Sequence, residues 1–159
     1  MTQTISALTK NKPGVLADMA QAIRKYNVNI RSISAGETED PEISRLTIGL
    51  DGTEEDIQRI TEDMALMDVI IGMDDLRRKE FVDRELVLAK VAMTPANTTQ
   101  IMQIFEVFRA NVVGMGRSTV TVEMSGDRER VDGLINMLKP HGIKSLCRSG
   151  MIALKRGDE

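Results

Sequence analysis

Two tandem α+β units, each a four-stranded antiparallel sheet carrying two helices on one face, are the fold this sequence predicts. Three observations carry the prediction. Apolar residues switch between a period of two and a helical period in the order strand, helix, strand, strand, helix, strand. The same order then occurs a second time, and the charged run DDLRRKEFVDRE (residues 74–85) lies between the two occurrences. A chain of 159 residues, 42% of them apolar, has enough length and side-chain volume for two small cores. By the rules of short connections, the order βαββαβ closes into the ferredoxin-like arrangement.

In the first unit, residues 4–8 alternate as a strand, and Val15, Leu16, Met19, Ala20 and Ile23 form the stripe of a helix that Tyr26 and Asn27 end. Residues 28–35 read as the second strand. Leu46, Ile48 and Leu50 alternate as the third, before the turn Asp51-Gly52-Thr53. Thr53 with Asp56 has the form of a capping box, and Ile57, Ile60 and Met64 continue as one face of the second helix. Val69-Ile70-Ile71 supplies the fourth strand.

The charged run is the candidate junction, giving domains 1–77 and 78–159, although a solvated strand end or helix turn also fits it. Beyond it come a strand over 86–92 and a helix with Ile101, Ile104, Phe105 and Phe108, which Asn97 and Gln100 are placed to cap. Strands follow around Val112-Val113 and over 120–124. The last helix (Val131, Leu134, Ile135, Leu138) stops at Pro140-His141-Gly142, ahead of a strand over 143–147. The apolar tail Met151-Ile152-Ala153-Leu154 either extends that strand or adds a short one.

Several function classes are disfavoured by composition. A net charge of −3 and a pI near 5.3 speak against a nucleic-acid partner, and one tyrosine, three phenylalanines and no tryptophan leave few rings to stack on bases. One cysteine, Cys147, cannot form an internal disulfide. The start MTQTISALTKN lacks the pattern of a secretory signal, and no apolar run approaches a membrane span, so a cytoplasmic protein is expected. Catalytic and metal-binding constellations are not visible. His141, the single histidine, falls in a turn, and Cys147 falls in a strand away from it. Gly114-Met115-Gly116 leads into a strand and reads as a hairpin turn rather than a dinucleotide loop. What remains is a chain that binds something small or another protein.

The stretch TKNKPGVLADMA (residues 9–20) is the best candidate for that binding. Gly14 permits a positive φ and a close approach to the main chain, and Pro13 suits the first helical position. A helix start with free N–H groups attracts a carboxylate. Asn11 adds an amide that both donates and accepts, and Val15 and Leu16 offer an apolar wall. A plain strand-to-helix loop capped by Asn11 fits the same residues. A second amide, Asn29 at the start of the next strand, favours the site, since such a position calls for a cap or a ligand.

These residues also carry a resemblance. Asn11-x-Pro13-Gly14-Val15-Leu16, then Asn27-Val28-Asn29-Ile30, resembles the ACT domain, the ferredoxin-like module that senses amino acids. Glu39-Asp40-Pro41-Glu42-Ile43-Ser44-Arg45-Leu46-Thr47-Ile48, Val82-Asp83-Arg84-Glu85-Leu86 and Arg148-Ser149-Gly150 with Ala153-Leu154-Lys155-Arg156-Gly157 extend it. With them, nearly the whole chain resembles the regulatory small subunit of acetolactate synthase. Lys10, Lys12 and Gly114 depart from residues common in that family.

The resemblance implies ACT domains paired side by side as a homodimer, with a branched-chain amino acid, usually valine, bound between subunits. Asn11 and the main chain of Gly14, Val15 and Leu16 would hold its amino and carboxylate groups, while Asn29 and Ile30 would come from the neighbour. It also implies a catalytic large subunit as partner, which this chain would activate and through which it would transmit feedback inhibition. No cofactor, metal or catalytic residue is expected in this chain. Thiamine diphosphate, magnesium and FAD are expected in the catalytic partner. Two alternatives stand beside this: a tandem ACT sensor of another enzyme or transcription complex, and an enzyme assembled only in an oligomer. Arg45 and Arg148 read either as outward strand charges or as interface contacts.

Overall fold

The alternating and helical segments fold as eight strands and four helices in a computed structural model that describes residues 2–78 and 80–158. The first sheet comprises β1 (Thr2–Lys10), β2 (Asn29–Glu37), β3 (Ile43–Asp51) and β4 (Ile70–Asp75), with α1 (Val15–Arg24) and α2 (Glu54–Ala65) between them in the chain. Its strand order is β2-β3-β1-β4, and each neighbouring pair is antiparallel. Ile5 and Ala7 of β1 and Leu46, Ile48 and Leu50 of β3 alternate onto the helix-bearing face, where they meet Met19 and Ile23 of α1 and Ile57, Ile60 and Met64 of α2. Burial of that shared apolar surface is what holds the layers together. The expected capping box starts α2: Asp56 N–H donates to Thr53 Oγ1 at 3.2 Å and Thr53 N–H to Asp56 Oδ2 at 3.3 Å.

The second sheet repeats the plan. It contains β5 (Phe81–Ala92), β6 (Asn111–Met115), β7 (Thr119–Gly126) and β8 (Ile143–Lys155), with α3 (Thr98–Phe108) and α4 (Arg128–Leu138), in the strand order β6-β7-β5-β8. Val87, Ala89 and Val91 pack with Val120 and Val122 beneath Ile101, Phe105, Leu134 and Leu138. As expected, Gly114 to Gly116 leads into a hairpin, closed by Gly116 N–H donating to the Thr119 carbonyl at 2.8 Å. Among the described residues no helix is long and apolar enough to cross a membrane.

Two strands run further than their apolar patterns suggest. The charged run contains the end of β4, a 3₁₀ turn at Leu76–Arg78 and the start of β5; its Lys79 lies outside the described residues. Glu85 sits within β5 at 6% exposure because Arg148 of β8 grips it through two hydrogen bonds, of 2.8 and 2.7 Å, and also reaches Asp132 of α4 at 2.8 Å. A paired charge is tolerated in a strand where a lone one is not. Glu85 and Asp132 hold the Arg148 guanidinium protonated, above its ordinary range.

The tail extends β8 to Lys155 rather than forming a separate strand. The chain divides into two compact units: residues up to Val82 together with those from Gly150 onward, and Asp83–Ser149. In the first unit Gly150, at φ 78°, presses against β2, where a Cβ would lie 2.9 Å from Ser34 Oγ. Lys155 Nζ pairs with Asp74 of β4 at 2.8 Å. The residues between therefore cross the face of the first sheet that carries no helix. Thr4, Ser6 and Thr47, three polar residues of β1 and β3, are buried.

Candidate functional site

The bend between β1 and α1 leaves a helix start open. Gly14 is the N-cap residue at φ 88°, and no side chain caps the helix. The first helical bond runs from Asp18 N–H to the Gly14 carbonyl at 3.0 Å, so the N–H groups of Val15, Leu16 and Ala17 have no acceptor within the helix. A Cβ at Gly14 would meet nothing within 4 Å. Pro13 stands before the N-cap and not at the first helical position as its preference suggests.

Asn11 does not cap α1. Its Nδ2 donates to Glu37 Oε1 at 3.2 Å and to the Pro41 carbonyl at 2.9 Å, while its backbone N–H donates to the Glu42 carbonyl at 2.7 Å. The bend is thereby laced to the β2–β3 connection, which is itself folded on Asp40: Glu42 N–H donates to Asp40 Oδ1 at 2.9 Å and Ile43 N–H to the Asp40 carbonyl at 3.0 Å. Both amide protons of Asn11 are engaged, and its oxygen is left as an acceptor.

The predicted apolar wall is divided. Val15 turns its side chain into the core at 6% exposure and offers only its N–H, whereas Leu16 is 50% exposed beside the helix start. Thr9, two residues before Asn11, lies on the helix-bearing face, and its buried hydroxyl has no hydrogen-bond partner among the described residues.

Asn29 and Ile30 are not brought to this end within one chain. Asn29 pairs with Asp51, which also pairs with Thr2, whereas Glu37 and Thr9 both pair with Ser44. The two candidate groups thus sit at opposite ends of a sheet whose nine-residue strands span about 27 Å. Asn29 is exposed on the edge strand β2, and Ile30 leans on the core. Beside them Arg31 pairs with Asp51 at 2.9 Å, and that contact holds the Asp51 carboxyl below its usual range. Two open depressions of the first unit, one lined by Asp18, Arg24 and Asp63, the other by Asn27, Asp51 and Thr53, include none of the candidate residues. Among the described residues no group of three or more His, Cys, Asp or Glu is placed to hold a metal ion.

Comparison with known proteins decides the family. Residues 5–71 match the model described as AHAS small subunit-like ACT domain, and residues 84–157 match the model described as small subunit of acetolactate synthase. The probable acetolactate synthase small subunit of Archaeoglobus fulgidus is 33% identical over 159 residues, covering 100% of this chain and 99% of its own. The chain belongs to the acetolactate synthase small-subunit family. The Bacillus subtilis small subunit is 34% identical, with 100% of this chain and 93% of its own covered. The crystal structure of the Thermotoga maritima small subunit superposes with a TM-score of 0.85 at 29% identity, covering 100% of this chain and 99% of that one.

Within this family member, the two arginines singled out by sequence turn inward to partners of their own chain. Arg45 donates to Ser6 Oγ at 3.3 Å, and Arg148 holds Glu85 and Asp132. Sequence reasoning missed Glu37 and Thr9. Glu37 lies in the polar stretch GETED, which reads as an ordinary loop, and only the long-range bond from Asn11 marks it. Thr9 fits a strand as well as any β-branched residue does, so nothing in its sequence position gives away an unpartnered hydroxyl.

Proposed function

We propose that this chain is the regulatory subunit of acetolactate synthase, that it activates the catalytic large subunit, and that it transmits feedback inhibition by a branched-chain amino acid, with valine the first candidate. Sensing is assigned to the first domain, residues 1–77, and the second, 78–159, completes the subunit. Thiamine diphosphate, magnesium and FAD belong on this reading to the catalytic partner. The effector's carboxylate goes to the N–H groups of Val15 and Leu16 at the open start of α1. Its ammonium faces Asn11, and its side chain lies against Leu16.

One observation carries the reading: the open helix start and Asn29 lie at opposite ends of a sheet in which β2 is an edge strand. Antiparallel pairing of two such strands sets the beginning of one against the end of the other. Asn29 of the partner subunit then arrives where Asn11 and Glu37 lie, and a homodimer contains two complete sites. A ligand of about eight heavy atoms has little affinity to distribute, so each polar contact counts. Coupling of about 1–3 kcal/mol between effector and catalytic partner is enough for control.

The test is reconstitution with the catalytic subunit. Asn11→Ala is expected to abolish inhibition by valine while the two subunits still co-purify and the activation persists. Inhibition unchanged in that variant rejects the assignment.

A further inference from the structure

Resting on that reading of the site, we propose that Glu37 receives the ammonium group of the effector and makes the site select an α-amino acid over the 2-oxo acid of the same carbon skeleton. The start of α1 presents donors only, so it answers the carboxylate, a group the two molecules share. Discrimination has to come from acceptors. Two lie together at the bend that precedes α1: Asn11 Oδ1, left over when both amide protons are donated, and the Glu37 carboxylate, 3.2 Å from Asn11 Nδ2.

Glu37 adds what the amide lacks, a full charge. It is exposed at the last residue of β2, and Asn11 is the side-chain partner found for it among the described residues. An ammonium carries three donors and a positive charge, and it forms charge-assisted bonds with such a pair. A carbonyl oxygen in its place carries no donor and faces two acceptors, which repels it.

Thr9 is an independent sign that this end of the unit is prepared for a ligand. Thr9, two residues before Asn11, is 1% exposed, and its hydroxyl has no partner among the described residues. A native fold keeps a buried hydroxyl unpartnered against a desolvation cost, and such groups are found where function requires them. The site thus has a donor pole at the helix start and an acceptor pole at Asn11 and Glu37, the charge pattern of a zwitterion.

Isothermal titration of the full chain with L-valine and with 3-methyl-2-oxobutanoate tests the assignment, using the wild type and Glu37→Gln. Glutamine keeps an oxygen for Asn11 and removes the charge. Valine binding is expected to weaken about 10- to 100-fold in the variant, the range for loss of a charge-assisted bond, with binding of the oxo acid unchanged. Valine bound by Glu37→Gln as tightly as by the wild type overturns the role of Glu37 and leaves the amino-acid site standing. Equal weakening of both ligands also overturns it, by reducing Glu37 to a tie for the β2–β3 connection. Failure of the wild type to bind valine, leucine or isoleucine removes the amino-acid site itself, and this role with it.

Discussion

The two units share an element order and a strand order, yet their first helices begin differently. In the second unit the chain makes a full turn before α3: Asn97 N–H and Thr98 N–H donate to the Thr94 carbonyl at 3.1 and 3.0 Å, and Asn97 Oδ1 accepts from Thr94 N–H at 2.7 Å. That turn occupies the space above the helix and satisfies its first donor. In the first unit the corresponding residues are Asn11 to Gly14; Asn11 is drawn sideways to Glu37 and Pro41, and α1 starts bare. Neither start has a side-chain cap; they differ in that the first N–H of α3 is already engaged by the turn before it, whereas among the described residues no such bond is made by Val15 N–H.

The second unit adds to its apolar core the clasp of Arg148, Glu85 and Asp132. Arg148→Ala has the largest expected effect of any change considered, because it leaves Glu85 buried and unpaired. A loss of about 3 kcal/mol is expected, which for a chain of this size lowers the melting temperature by roughly 6–12 °C. Scanning calorimetry on the full chain measures it. A shift of a degree or less would mean that Glu85 finds water or another partner, and that the second unit does not depend on this clasp.

Most of the fold was legible because it is written in apolar period. The stripe Val15, Met19, Ile23 and the alternation Leu46, Ile48, Leu50 each allow one facing, and both are observed. Boundaries set by long-range polar bonds were not legible. β5 runs from Phe81 through Glu85, which meets Arg148, and β8 runs on through Gly150, which lies close to Ser34; each contact involves a residue far away in sequence. Asn97 was expected to cap α3, and instead it ties back its own loop to the Ala92 carbonyl at 3.2 Å. The candidate site shows the same division. Gly14 announces itself by residue type, whereas Glu37 enters through a hydrogen bond that no spacing rule foretells.

Closing the open helix start sharpens the comparison between the units. Gly14→Asn retains a residue that tolerates the left-handed conformation and adds a side chain able to cap α1. A Cβ has free space there but the positive φ strains any side chain, so the fold is expected to survive with unchanged or slightly lowered thermal stability. Valine affinity is expected to fall about tenfold, since the amide competes for the donors the carboxylate would use. Calorimetric titration beside a thermal melt separates the two effects. Retained valine binding in a folded variant would show that the helix start is not where the carboxylate goes.

A smaller effect is expected at α2, whose start calibrates what a cap contributes in this chain. Thr53→Ala removes the acceptor for Asp56 N–H and is expected to lower the melting temperature by a few degrees at neutral pH. Thr53, through its hydroxyl and its backbone N–H, holds the Asp56 carboxyl below its usual range in the folded state. That depression contributes stability above the ordinary carboxylate pKa of about 4, and the contribution disappears as pH falls through the lowered value. The gap between wild type and Thr53→Ala should therefore be widest at neutral pH and narrow in acid, with the backbone part of the cap remaining. Melts from pH 7 down to pH 3 follow it. A gap that stays constant would show that the hydroxyl acts on the helix backbone alone, and that the Asp56 charge adds nothing to the start of α2.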